Sequence, residues 1–249
     1  MKINSTFLVI VTCLILLSCD KKTDIFPIEK RYWNVDDYEN VIREIKFGVD
    51  SEDKVPNLSN PETKVIVEKL TDEENFKVVL DDNQLGLKHK NDVGKGFFNV
   101  WRDMMSIYNV MDRQDKYIYE IEHINSFKFG LGLQLRYFKL GNDNMIENAD
   151  DKNDSSTINN VNSNINALIS NYEIYLDEIN NENAYSENGR NAYAEGINKY
   201  FSELLKLYPN ADYSSMKTKI ELMIKKAKSP IIITALNKIL SLIPSDKKE

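Results

Sequence analysis

The chain has 249 residues and a formal net charge of −7, from 32 Lys and Arg against 39 Asp and Glu. So acidic a body is a poor match to nucleic acid, where affinity comes largely from Lys and Arg neutralising phosphates, and it offers no broad cationic face to anionic lipid. Hydrophobic residues make up 42% and aromatics 10%, which supports a packed core and excludes wholesale disorder.

In chain order, Lys2 comes first, followed by an apolar run from Phe7 to Leu17. That run is too short to cross a bilayer, which takes roughly 20 apolar residues, but it has the length of a signal-peptide core. It ends Leu16-Leu17-Ser18-Cys19. This ending resembles the lipobox of bacterial lipoproteins, with Leu three residues before the cut, a small residue just before it and Cys just after. The resemblance does not extend beyond Lys22. It implies a signal peptide over 1–18, lipid such as palmitate on Cys19, and a membrane-anchored place in the bacterial cell envelope. Removing 1–18 takes away Lys2, the one charged residue of that stretch, and leaves a body over 19–249 that is slightly more acidic than the whole chain. Cys13 leaves with the signal and Cys19 carries lipid. The body is then expected to have no disulfide, no Cys nucleophile and no thiolate metal site. Residues 19–30 read as a polar tether. Asp20-Lys21-Lys22 stands where some bacterial groups place sorting signals, and the plain reading is a solvated spacer.

The body, 31–249, reads as all-α, with about eight helices in an antiparallel bundle or helix-hairpin stack. A helix is predicted over 35–46, capped by Asn34 or Asp36 and stopped by Gly48. Asn60-Pro61-Glu62 opens a second, with Pro at its first position. Residues 72–81 follow Thr71-Asp72-Glu73-Glu74 and lean helical, although Phe76 to Leu80 is β-like. Phe97, Val100, Trp101, Met104, Met105, Tyr108 and Met111 share one face of a helix over about 92–110. The next, about 114–140, is apolar nearly all round from Phe127 to Leu140, the mark of a central helix. Its Gly130 and Gly132 are expected to let a neighbour approach closely.

Residues 141–156, GNDNMIENADDKNDSS, are the best candidate boundary within the body. Beyond them, Ile158, Val161, Ile165, Leu168, Ile169, Tyr172, Leu176 and Ile179 make an apolar stripe. A helix over about 188–208 carries Tyr193, Ile197, Tyr200, Phe201, Leu204 and Tyr208, and two shorter helices follow, about 212–227 and 230–243. The segment 192–213 resembles the second helix and closing turn of a tetratricopeptide repeat, in which Phe201 and Pro209 have the family's separation of eight. Tyr185 stands where the repeat has Gly, and no second copy follows at the repeat's interval. An ordinary helix hairpin is therefore the reading.

No catalytic constellation is recognisable. His89 and His123 fall on different predicted elements and lack metal-ligand spacing, and of the local cluster Glu120, Glu122 and His123 the last two are adjacent in sequence and so do not share a helix face. Gly94-Lys95-Gly96 lacks the first Gly and the Ser or Thr of a phosphate loop, which leaves only a weak anion site at a helix start. Asp143, Asp150, Asp151 and Asp154, with Asn148 and Asn153, offer oxygen ligands for calcium, but Lys152 and the spacing depart from the calcium-loop pattern. Tyr172, Tyr193, Tyr200 and Tyr208 read as core residues with hydroxyls reaching outward, or less simply as a groove for a peptide, glycan or partner helix. No catalytic residue, cofactor or metal is assigned. The expected role is non-enzymatic binding or assembly with an envelope protein partner. The alternatives are a carboxylate-dependent envelope hydrolase and a lipoprotein binding calcium or a small ligand.

Overall fold

The computed structural model describes residues 26–50, 55–114 and 117–244. The signal, the lipobox and Cys19 lie outside them. The fold is all-α. Among the described residues there are nine α-helices, one 3₁₀ turn and no strand. They are α1 (Val35–Asp50), α2 (Lys64–Leu70), α3 (Glu74–Leu80), α4 (Leu87–Gln114), α5 (Glu120–Glu147), α6 (Ser155–Leu176), α7 (Glu187–Leu207), α8 (Ser214–Lys226) and α9 (Pro230–Leu240), with the 3₁₀ turn Asp177–Asn180 after α6.

The apolar belt of α5 dictates the arrangement. Every residue from Phe129 to Leu135 is buried, so this helix needs partners on both sides. Phe129, Leu133 and Leu140 join a cluster with Trp33, Tyr38, Phe76, Phe97 and Trp101, built from α1 to α4. Ile124, Phe127, Leu131 and Leu135 join a second cluster with Tyr172, Tyr193, Phe201, Ile220 and Leu236, built from α6 to α9. Aromatic edges interlock in the first, with Phe76 and Phe129 at 4.9 Å and 76°. In the second, Phe127 stacks on Tyr193 at 3.8 Å.

Gly130 has a packing reason. A Cβ there would run into the Trp101 indole, whose Nε1 donates to the Ser126 carbonyl at 2.9 Å. The absent side chain lets α4 and α5 meet with Trp101 laid flat between them. Asn34 and Asp37 cap α1 reciprocally, at 2.9 and 3.1 Å. Asp154 caps α6 and Ser186 caps α7. Ser229 caps α9 ahead of Pro230.

Several boundaries differ from the sequence reading, each for a local reason. α1 passes Gly48 and ends at Asp50. Pro61 sits in a turn, not in α2, because the Asn60 side chain takes the Glu62 N–H and its carbonyl takes those of Thr63 and Lys64. Residues 72–81 are helical over Glu74–Leu80, with Phe76 and Leu80 buried at i and i+4. α4 starts at Leu87, not 92. α5 starts at Glu120, not 114, because Tyr117 takes a left-handed φ of 71° that no helix accommodates.

The break expected at 141–156 narrows to residues 148–154, since α5 runs on to Glu147. Its polar composition there hides structural partners: Asn142 is buried, its Nδ2 donating to the Tyr208 hydroxyl at 3.0 Å and its Oδ1 accepting from Asn164 at 2.6 Å. The early part of the α6 stripe faces outward, with Ile158 46% exposed, while Leu168, Ile169, Tyr172 and Leu176 are buried.

Residues 26–33 are fastened to the α2–α3 corner. The Trp33 N–H donates to Asn75 Oδ1 at 2.7 Å, its indole N–H to the Pro27 carbonyl at 2.9 Å, and Lys69 Nζ to the Lys30 and Arg31 carbonyls at 2.6 and 2.9 Å.

Gly130→Ala is expected to destabilise the fold by about 1–3 kcal/mol, because a rigid indole and not a flexible chain end opposes the new methyl. Gly86→Ala, with nothing within 4 Å of the new atom, is expected to stay within about 0.5 kcal/mol. Urea unfolding of the two variants checks both.

Candidate functional site

Three elements converge on a groove of about 400 Å³. The α2–α3 corner brings Thr71 and Glu73. From α5 come Asn125 and Lys128, one turn apart on the face that continues to Gly132. From α7 come Glu195 and Gly196, then Lys199 and Tyr200 one turn on.

Glu73 is the hub. Its carboxylate accepts a short hydrogen bond from the Tyr200 hydroxyl, and ion pairs from Lys77 at 3.1 Å and Lys199 at 3.2 Å. Lys199 also donates to the Tyr200 oxygen at 2.8 Å. Gly132 makes room, because a Cβ there would come within 3.0 Å of the carboxylate and 3.1 Å of the Tyr200 ring. Burial works to raise the Glu73 pKa, but Tyr200, Lys77 and Lys199 outweigh it and hold the carboxyl below its ordinary value. Burial and the same bond push the Tyr200 phenol up. Glu73 is therefore an ionised acceptor, the opposite of a proton-donating general acid.

Lys128 differs. Its stem lies along Gly196, where a Cβ would meet Cγ at 2.9 Å and Cε at 3.3 Å. No carboxylate forms an ion pair with it among the described residues. Burial pushes its pKa down and nearby Lys199 adds to this, while Glu195 partly offsets both.

A second polar cluster lies around the start of α5. Glu120 accepts from the Ser186 N–H at 2.6 Å and its hydroxyl at 2.8 Å. Glu122 Oε1 accepts from the Leu58 N–H at 2.6 Å, and its Oε2 is buried without a partner. His123 is buried and shares a 3.1 Å hydrogen bond with the Tyr185 hydroxyl. These groups tie residue 58 and the 185–190 segment to α5. They are fasteners more than an open site. The larger furrow between α1 and α4, about 650 Å³, is rimmed by Glu39, Arg43, Lys46, Arg102 and Asp103. All five are exposed, three cations against two carboxylates, and Lys46 is already paired with Asp103 at 2.8 Å, so most of the charge there is offset.

The other sequence candidates fall elsewhere. His89 is exposed on the first turn of α4, far along the sequence from buried His123. Gly94-Lys95-Gly96 lies inside α4, not ahead of it, so its N–H groups belong to the helical ladder; Gly96 instead receives Val35. Asp143 pairs with Lys139 at 2.5 Å. Asp154 takes the N–H groups of Ser156 and Thr157, which lower its pKa, and Asn153 N–H bonds Asp151 at 2.9 Å. Among the described residues no three His, Cys, Asp or Glu converge as metal ligands. Of the four tyrosines, Tyr172, Tyr193 and Tyr200 are buried and Tyr208 is half-buried, and only Tyr200 lines the groove.

Sequence reasoning missed Glu73 as the partner of Tyr200 and Lys128 as its neighbour in the groove. One signal was present: Lys128 is the only charge in the run Phe127 to Leu135. No helix among the described residues is long and apolar enough to cross a membrane. Compared with known proteins, the chain matches no family model, no curated protein and no solved structure.

Glu73→Gln is expected to cost about 1–3 kcal/mol at neutral pH, the usual worth of hydrogen bonds to a charged group. A carboxyl with a lowered folded pKa stabilises above its unfolded pKa and loses that contribution as pH falls through the folded one. The difference between wild type and E73Q should therefore shrink on acidification, which urea melts across an acid titration will show.

Proposed function

We propose that this chain is a lipid-anchored protein of the bacterial cell envelope that binds or assembles with a partner there and carries out no catalysis. The observation that carries the reading is the ending Leu16-Leu17-Ser18-Cys19 behind the apolar run from Phe7 to Leu17. The lipid on Cys19 supplies the membrane attachment, and the helical body supplies the surface that an envelope protein meets. The acidic surface argues against nucleic acid as the partner.

The carboxylate-hydrolase alternative requires an acid held protonated beside a second carboxylate. In the groove that brings two carboxylates together, Glu73 is held ionised and Glu195 accepts from Asn191 at 3.3 Å. The chemistry there favours binding over acid catalysis.

Growth of a bacterial host expressing the chain with an alkyne analogue of palmitate tests the anchor. The expected result is label on the wild type, recovery in the membrane pellet, and loss of both in Cys19→Ser. An unlabelled wild type would overturn the reading. Crosslinking in intact cells then tests the binding role, with one envelope protein expected to be captured in stoichiometric amount.

A further inference from the structure

We propose that the groove between the α2–α3 corner, α5 and α7 is a binding site for the oxyanion group of a small ligand, a phosphate or a carboxylate, held by Lys128 and Lys199. The argument begins with charge. Glu73 already has three donors, Tyr200, Lys77 and Lys199, so it needs no cation from Lys128. Lys128 is half-buried in the groove wall and has no ion-pair partner there.

A half-buried ammonium with no ion pair, offset only through space by Glu195, is an under-compensated charge, and an anion entering the groove relieves it. Lys199 faces the same space and repels Lys128; an anion between the two turns that repulsion into attraction. Asn125 and Thr71 add neutral polar groups beside the lysines, as small-molecule sites commonly do. Gly196 fixes the approach, since its missing side chain is what lets the Lys128 stem lie flat against α7. The groove volume of about 400 Å³ suits a small ligand and not a folded partner. This site is independent of lipidation at Cys19.

The test is thermal unfolding of the purified full chain in inorganic phosphate, in succinate and in chloride at matched ionic strength. With the anion at about ten times its Kd, a rise on the order of 3–5 °C over chloride is expected. The rise should vanish in Lys128→Gln and persist in Lys88→Gln, whose lysine is exposed and paired with Asp92. A rise in phosphate alone assigns a phosphate-bearing ligand, in succinate alone a carboxylate, and in both an oxyanion site of broad selectivity. No rise over chloride in the wild type, or an equal rise in K128Q, overturns the proposal. Should K128Q fail to fold, trace acetylation of the wild type decides. Labelling of Lys128 is expected to slow at least about threefold in the anion while Lys88 labelling is unchanged; equal labelling of Lys128 with and without anion overturns the proposal.

Discussion

A helix that is apolar on every side has no solvent face, and α5 imposes that condition on everything around it. Its residues from Phe129 to Leu135 are all buried. One layer of helices can cover only one side, so two are required. α1 to α4 cover one and α6 to α9 the other. The two hydrophobic clusters are in this sense the two sides of a single helix. Gly130 sets how closely the first layer packs, and Gly132 leaves space where the corner of the first layer meets α7 of the second.

That meeting place is where polar chemistry gathers. Glu73 from the first layer and Tyr200 from the second bond across the edge of α5, and Lys77 and Lys199 flank them. A carboxylate held by three donors in a partly dry environment is strongly ionised. The neighbouring Lys128 lies outside this arrangement. The contrast between a fully partnered acid and a base with no ion-pair partner in the same groove is the main electrostatic asymmetry of the site.

Much of the fold was legible from periodicity. The interior positions of α4 and α7 follow from spacing, and the central place of α5 follows from its all-round apolarity. The role of Gly130 was legible too, as a small residue in a helix with no solvent side. What escaped were features set by side-chain hydrogen bonds. The α5 terminus reads as a linker because Asn142 and Asp143 are polar, yet one bonds Tyr208 and Asn164 and the other pairs with Lys139. The start of α5 depends on the φ of Tyr117, which composition does not encode. The Glu73–Tyr200 pair is 127 residues apart in sequence, and only the layering around α5 brings its members together. Lys128 was the exception, a lone charge in an apolar run that could have been singled out.

The fastening of residues 26–33 also bears on how the molecule would stand at a surface. Asn75 and Lys69 grip the backbone of Trp33, Lys30 and Arg31 at the α2–α3 corner. For a chain held by lipid at Cys19, only seven residue steps separate the anchor from Phe26, a reach of at most about 25 Å. The corner would ride close above the bilayer, and the groove beside it would open within reach of headgroups and of molecules diffusing along the membrane plane.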